Sequence, residues 1–180
     1  MNKAIFLDRD GTLNRECGYV HKVEDFELLP GVVEGIKKLS KDFIFFVVTN
    51  QSGIGRGLYA IEDMIKFNEK LINELKKANI EIKKIYYCPH LPKENCDCRK
   101  PKTKFINEAA KEFDIDIKQS WVMGDRPTDI ELGKNAGSKT IYLLTGYGEK
   151  HLDDLGKNNI KPNFIAKDFS QATEFILKNV

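Results

Sequence analysis

Residues 4–14 read Ala4-Ile5-Phe6-Leu7-Asp8-Arg9-Asp10-Gly11-Thr12-Leu13-Asn14, an apolar run that ends in two aspartates and a glycine. The stretch predicts a buried β-strand that leads Asp8 and Asp10 into a turn marked by Gly11. Because alternate side chains of a strand lie on the same side, the two carboxylates can converge where the strand ends. That edge is where ligands bind in open α/β sheets, so one carboxylate can attack a substrate while the other handles protons.

Apolar, β-branched and aromatic clusters recur along the chain with amphipathic segments between them, which favours a parallel sheet flanked by helices. We therefore predict an α/β fold, a doubly wound Rossmann-like parallel sheet in a single domain over residues 1–180. The predicted strands are Ala4–Leu7, Phe43–Val48, Ile85–Tyr87, Trp121–Met123, Thr140–Leu144 and Asn163–Ala166. The predicted helices are Val32–Leu39, Ile61–Ala78, Lys104–Phe113, Thr128–Ala136 and Gln171–Lys178. Ser170 is expected to cap the last helix, and Leu152–Pro162 to form a solvated loop.

The overall charge gives no electrostatic reason to expect a polyanionic partner. The chain has 29 Lys and Arg against 27 Asp and Glu, so neither nucleic acid nor an anionic membrane is an expected partner. The longest apolar run, Phe43–Val48, is too short to cross a bilayer, and the first residues lack a secretory pattern. We expect a cytoplasmic monomer that binds a small molecule, with its four cysteines as thiols or metal ligands.

The aspartates predict phosphoryl-transfer chemistry. Asp8 is the expected nucleophile, which would form an aspartyl phosphate, and Asp10 the expected acid and base. Two acids near a phosphate dianion repel it unless a cation intervenes, so the site calls for Mg²⁺. Residues 121–129 form a second apolar run that ends in an aspartate, and Asp125 is the predicted third carboxylate. Asp129 would either cap the next helix or orient a residue that itself contacts the metal or the substrate.

Donors for a phosphate follow another predicted strand. Thr49, Asn50, Gln51 and Ser52 can cradle phosphate oxygens, and Arg99 and Lys100 supply positive charge. Each segment alone is more often an ordinary polar turn. Their order after successive strands would gather them at one edge of the sheet, which favours a single catalytic site.

A cysteine and histidine cluster predicts structural zinc. The ligands would be Cys88, His90, Cys96 and Cys98, three thiolates and one imidazole within eleven positions. The alternative is a set of buried thiols beside an incidental histidine. Since Arg99 and Lys100 follow directly, bound zinc would fix the loop that carries both cations. We expect Cys17 to be a loop thiol, and His21 and His151 to be surface residues.

With these residues in place, the chain resembles the haloacid dehalogenase superfamily of aspartate-nucleophile phosphatases from Ile5 to about Gly148. The resemblance lies in the zinc-containing branch whose members act on D-glycero-D-manno-heptose 1,7-bisphosphate or histidinol phosphate. It implies Asp8 as nucleophile, Asp10 as proton donor, and Mg²⁺ held by the Asp8 side chain, the Asp10 backbone carbonyl and Asp125. No stretch between Asp10 and Thr49, or between Thr49 and Lys100, is long enough to form the separate cap domain that larger members of the superfamily carry. The implied substrate contacts are Glu16, Cys17, Gly18, Tyr19, Thr49, Asn50, Gln51, Ser52, Arg99, Lys100 and Arg126.

The substrate implied by the resemblance differs between the two halves of the chain. Residues 8–14, 18–21 and 49–57 look like the heptose enzymes, which implies removal of the 7-phosphate in nucleotide-activated heptose synthesis. Residues 88–102 and 124–130 look at least as much like the histidinol-phosphate enzymes, the alternative within the same class. A zinc-stabilised, non-catalytic binding module is the alternative from another class. The presence of Asp8, Asp10, Lys100 and Asp125 argues against lost chemistry.

Overall fold

Six parallel strands form the centre of the computed structural model, which describes residues 1–180. They lie in the order β3-β2-β1-β4-β5-β6. This arrangement confirms the predicted α/β fold with a doubly wound parallel sheet. The strands are β1 (Ala4–Leu7), β2 (Ile44–Asn50), β3 (Ile82–Cys88), β4 (Trp121–Gly124), β5 (Lys139–Leu143) and β6 (Phe164–Ala166).

Seven α-helices connect and cover the strands. Short 3₁₀ turns lie at Val23–Asp25, Pro92–Glu94 and Ile117–Gln119. None of the helices has the length and apolar content needed to cross a membrane. The helices are α1 (Val32–Leu39), α2 (Ser52–Gly55), α3 (Ile61–Lys77), α4 (Lys104–Phe113), α5 (Pro127–Ala136), α6 (Leu152–Lys157) and α7 (Phe169–Leu177).

Both faces of the sheet are buried, which explains why β1 is apolar at every position. Ile5 and Leu7 join a core with residues of α1, α3 and α7, whereas Ala4 and Phe6 join a second core with residues of α4 and α5. Strands covered by helices on both faces show continuous apolar runs instead of alternation. The four residues of β1 are fully buried, so the position of whatever follows Leu7 is rigidly set.

The strand order explains where the polar segments meet. From β1 the chain adds β2 and β3 on one side and β4, β5 and β6 on the other, so the topology switches between β1 and β4. Such a switch point leaves a crevice at the carboxyl ends of the strands. Asp8 and Asp10 follow β1, Asn50 ends β2 and Asp125 follows β4, so all of them lie at that edge.

Several local predictions were wrong. The helix α7 is capped by Asp168, whose carboxylate accepts the Gln171 backbone N–H at 2.8 Å, and Ser170 lies inside the helix. The predicted loop 152–162 contains α6, because Leu155 is buried and packs with Ile160 in a small separate core. Thr49 and Asn50 belong to β2 and are not part of the following turn.

Candidate active site

Lys100 is buried between two carboxylates at the edge of the sheet. Its ammonium is 2.7 Å from Asp8 Oδ1 and 2.7 Å from Asp129 Oδ1, and it also donates to the Val48 carbonyl at 2.8 Å. Burial alone would lower the pKa of Lys100, but attraction to Asp129 and Asp8 outweighs it and raises the pKa. Lys100 is therefore charged, and its three donors are all used within the protein.

Asp129 both caps helix α5 and supports a residue of the site, the two roles that the sequence leaves open. Its Oδ2 accepts the Arg126 backbone N–H at 3.0 Å and so closes the first turn of α5, while its Oδ1 pairs with Lys100. Burial raises the pKa of Asp129, and Lys100 partly offsets that effect. The residue that closes the first turn of α5 thus also fixes the lysine beside Asp8.

Asp125 lies under the turn that follows β1, and it meets the requirement for a metal ligand. It is 1% exposed, and its Oδ1 has no hydrogen-bond partner, whereas Oδ2 accepts the Tyr147 backbone N–H at 2.7 Å. Burial, with repulsion from Asp8 and Asp129, raises the pKa of Asp125. A buried carboxylate oxygen without a donor is costly unless a cation binds it. Oxygen atoms of Asp8, Asp125 and Asp129 lie within 4.8 Å of one another, an arrangement that fits Mg²⁺.

Two glycines make room for the Asp125 carboxylate. A Cβ atom on Gly11 or Gly146 would overlap it, and Gly11 has a left-handed φ of +83°. The Thr145 hydroxyl donates to the Gly11 carbonyl at 2.6 Å and holds the two loops together. Gly11, which the sequence marks as a turn, therefore also allows the carboxylate of Asp125 after β4 to approach the end of β1.

Asp10 is held by Arg9, a residue that the sequence interpretation did not single out. The Arg9 side chain is fully buried, and its Nε and Nη2 donate to the two Asp10 oxygens at 2.9 and 2.8 Å. Gln51 Nε2 and Asn14 Nδ2 each add a further hydrogen bond at 2.9 Å. Charged residues are rarely buried, so nothing in the sequence alone indicated this role. Both oxygens of Asp10 therefore have a fixed orientation.

The four predicted zinc ligands converge on one point. The sulfur atoms of Cys88 and Cys96 are 3.5 Å apart, those of Cys96 and Cys98 are 3.6 Å apart, and His90 Nδ1 is 3.6 Å from Cys88 Sγ and 3.3 Å from Cys98 Sγ. A tetrahedral zinc site has sulfur–sulfur edges of about 3.8 Å and nitrogen–sulfur edges of about 3.6 Å. The cluster therefore fits zinc in both donor type and geometry.

This cysteine loop is joined to the catalytic edge. Cys88 ends β3, and the Lys100 backbone N–H donates to Asn50 Oδ1 at 3.1 Å. Arg99 donates to the His90 carbonyl at 3.3 Å, and Lys102 to the Cys96 carbonyl at 2.5 Å. The loop thus sets the position of both cations that follow it.

A cavity of about 730 Å³ opens above these groups. Its lining includes Asp8, Asp10 and every predicted substrate residue except Cys17, which is exposed and lies outside the lining. Burial raises the pKa of Glu16, whose carboxylate accepts the Gly18 backbone N–H at 2.6 Å. The lining residues at the predicted substrate positions are Glu16, Gly18, Tyr19, Thr49, Asn50, Gln51, Ser52, Arg99, Lys100 and Arg126.

Two histidines have partners that the sequence did not reveal. His151 is half-buried, lines the cavity and contacts both Arg126 and Asp154. His21 stacks on Tyr59 with ring centroids 4.5 Å apart. The sequence named no partner for either histidine, because Tyr59 and Arg126 come from segments that no local pattern connects to them. Other lining residues absent from the prediction include Arg56, Tyr147, Lys150 and Asp154.

The HAD-hydrolase-like family model matches residues 97–172. A D-glycero-alpha-D-manno-heptose-1,7-bisphosphate 7-phosphatase from Campylobacter jejuni is 45% identical over 143 residues, which cover 79% of this chain and 82% of the relative. A D-glycero-beta-D-manno-heptose-1,7-bisphosphate 7-phosphatase from Haemophilus influenzae is 41% identical over 162 residues, 83% of this chain and 88% of the relative.

The chain belongs to the heptose bisphosphate phosphatase family of the haloacid dehalogenase superfamily. A solved structure of D,D-heptose 1,7-bisphosphate phosphatase from B. bronchiseptica, complexed with magnesium and phosphate, has a TM-score of 0.88 at 28% identity and covers 99% of both chains. Members of the family are phosphoric monoester hydrolases. The predicted family and enzyme class are confirmed.

Proposed function

We propose that this protein removes the 7-phosphate of D-glycero-D-manno-heptose 1,7-bisphosphate through an aspartyl phosphate on Asp8. One observation carries the catalytic part of the proposal. Asp8 lines the cavity with one oxygen bound by the buried Lys100, in reach of the carboxylates that fit Mg²⁺. A fixed carboxylate beside a buried cation suits in-line attack on a phosphate dianion.

The reaction divides into two steps on the residues of this site. An Asp8 oxygen attacks phosphorus, and the bond between phosphorus and the sugar oxygen breaks as Asp10 donates a proton to that oxygen. Asp10 then takes a proton from water, which attacks the aspartyl phosphate and releases inorganic phosphate. Arg9 and Gln51 keep Asp10 oriented during both transfers.

Both metals have assigned residues in this proposal. Mg²⁺ would be held by the Asp8 side chain, the Asp10 backbone carbonyl and Asp125, and the orphaned Oδ1 of Asp125 supports this assignment. When bound, Mg²⁺ neutralises charge on the phosphoryl group and orients it. Zinc would be held by Cys88, His90, Cys96 and Cys98, whose closed set of four ligands leaves no position for a reacting water.

The substrate assignment draws on the relatives and on the cavity. Relatives at 41% and 45% identity are named as heptose bisphosphate phosphatases, which favours that substrate over histidinol phosphate. They also favour an enzyme over a non-catalytic binding module. The substrate contacts we propose are Glu16, Cys17, Gly18, Tyr19, Thr49, Asn50, Gln51, Ser52, Arg99, Lys100 and Arg126, with Cys17 the least supported because it lies outside the cavity lining.

We further propose that the chain acts as a single domain, as a monomer and in the cytoplasm, in nucleotide-activated heptose synthesis. The single sheet supports the first of these statements. Size-exclusion chromatography with light scattering would test the second.

A phosphate-release panel tests the substrate. Purified protein is assayed with both anomers of heptose 1,7-bisphosphate and with histidinol phosphate, each with Mg²⁺ and with EDTA. Both anomers are needed because the relatives are named for different ones. We expect kcat/KM for one bisphosphate anomer to exceed that for histidinol phosphate by at least about a hundredfold, and EDTA to abolish release. A faster reaction with histidinol phosphate would overturn the proposal.

A further inference from the structure

The rim of the cavity contains a chain of contacts that the proposed reaction does not use. The Arg126 guanidinium lies 4.1 Å from the centre of the Tyr147 ring, and its Nη1 is 3.0 Å from His151 Nε2. On the other side of the imidazole, His151 Nδ1 is 2.8 Å from Asp154 Oδ2. Arg126, His151 and Asp154 all line the cavity.

The chemistry of these groups fixes the direction of each hydrogen bond. An arginine only donates, so His151 Nε2 must accept from Arg126 and carries no proton. The proton of the neutral imidazole is then on Nδ1, which donates to Asp154. Arg126 is therefore oriented by a neutral group. A direct carboxylate partner would have cancelled part of its charge, whereas His151 leaves that charge available to a ligand.

A second cation faces the same ring. Lys150 Nζ is 5.5 Å from the centre of the Tyr147 ring and forms no ion pair, and Arg126 Nε and Nη2 have no hydrogen-bond acceptor in the protein. Arg126 forms no ion pair either. Two cations that line one cavity, contact the same ring and form no ion pair are suited to bind an anion, and the planar guanidinium matches the oxygen spacing of a phosphate.

We propose that His151 and Asp154 are positioning residues that orient Arg126, so that Arg126 and Lys150 bind the phosphate group of the substrate that is not transferred. The inference rests on the proposed function, because it requires a substrate with two phosphates. Lys100 and the Mg²⁺ carboxylates serve the reacting phosphate, whereas this rim serves the other end. The rim then determines the preference for a bisphosphate over a monophosphate.

The test compares two substrates that share the reacting end. Steady-state kinetics are measured for wild type and His151→Ala with heptose 1,7-bisphosphate and with heptose 7-phosphate. We expect His151→Ala to raise KM for the bisphosphate about tenfold, with kcat and both constants for the monophosphate changed less than about twofold. His151→Gln retains an acceptor for Arg126 and should recover most of the loss. Asp153→Ala, at an exposed position of the helix that follows His151, with no side-chain hydrogen bond or ion pair, is the matched control and should alter neither substrate.

Each other result has a defined meaning. A variant that raises KM equally for both substrates, lowers kcat for both or changes nothing would overturn the inference while the proposed function stands. A wild-type kcat/KM that is equal for the bisphosphate and the monophosphate would also overturn the inference and leave the proposed function standing. Wild type that fails to hydrolyse the bisphosphate would overturn the proposed function and the inference with it. If His151→Ala fails to fold, the same kinetics on Lys150→Met test the inference instead. We then expect KM to rise about threefold for the bisphosphate and to stay unchanged for the monophosphate.

Discussion

Lys100 and Arg126 line the same cavity, but the protein holds their charges in different ways. Lys100 is 5% exposed and lies between Asp8 and Asp129, and all three of its donors are used. Arg126 is half-buried, stacks on Tyr147 and has a neutral imidazole as its hydrogen-bond partner. A buried ammonium must be paired to be tolerated, whereas a cation at the rim can stay available.

The difference separates two tasks. The paired lysine holds Asp8 in place before a substrate arrives, which suits the positioning of a nucleophile. The rim cation is oriented without being neutralised, which suits recognition of a charged substrate. Loss of the cation at the centre should therefore lower both kcat and the free energy of unfolding, and loss of the rim contacts should affect KM alone.

The largest effect is expected at Asp8. Asp8→Asn removes the nucleophile, so kcat should fall at least about 10⁴-fold, as measured by phosphate release with heptose 1,7-bisphosphate. Asp129 still pairs with Lys100, so the circular dichroism spectrum should not change. More than about one per cent of residual activity would show that another group attacks phosphorus.

The next largest effect is expected at Lys100. Lys100→Ala leaves Asp8 and Asp129 buried without a cation, so kcat/KM should fall about 10³-fold and the free energy of unfolding by about 3 kcal/mol. Arg126→Ala should change the free energy of unfolding by less than about 0.5 kcal/mol. Urea denaturation of both variants measures the contrast. Equal destabilisation would contradict the distinction between a paired and an available cation.

A smaller effect follows from removal of zinc. Cys98→Ala breaks the cluster that orients Arg99 and Lys100, so we expect loss of bound zinc and a fall in kcat/KM of about 10-fold to 100-fold. Metal content is measured by mass spectrometry and activity by phosphate release. Lys93→Ala changes an exposed side chain of the same loop that is not a ligand of the cluster, and it is the matched control. Full activity without zinc would show that the loop holds its position unaided.

Much of the fold could be predicted because its signals are local. The apolar run of β1 and the amphipathic pattern of α1 and α4 depend on neighbours within a few residues, and the predicted bounds of these three elements match the structure. The helix α6 was missed because its buried face is small, and Leu155 packs in a core apart from the two large ones. A short polar segment with one buried leucine does not differ from a loop in sequence.

The residues of the candidate site also fall into two groups, those that a local sequence pattern indicates and those that it does not. Asp8, Asp10 and Asp125 were found because each directly follows an apolar strand. Arg9 and His151 were missed because their contacts depend on distant residues. Arg9 donates to Asn68, 59 positions away, and His151 meets Arg126 across 25 positions. No periodicity links such pairs, so only the folded chain reveals them.

The smallest effect is expected at Tyr59, which supports Asp10 through one intermediate. The Tyr59 hydroxyl donates to Gln51 Oε1 at 2.6 Å, and Gln51 Nε2 donates to Asp10 Oδ2 at 2.9 Å. Tyr59→Phe removes the first of these bonds, so the free energy of unfolding should fall by about 1 kcal/mol. Arg9 still donates to Gln51 at 3.1 Å, so kcat should fall only about threefold.

Tyr86→Phe is the matched control for this prediction. The Tyr86 hydroxyl is buried but has no hydrogen-bond partner, so its removal should leave kcat unchanged and should not lower the free energy of unfolding. Stopped-flow phosphate release and urea denaturation are measured for both variants. An equal change in kcat for the two would mean that the hydroxyl of Tyr59 acts through packing alone. A selective change at Tyr59 would show that the hydrogen bonds that orient Asp10 continue through Gln51 to Tyr59, in contrast to the open pairing of Arg126 at the rim.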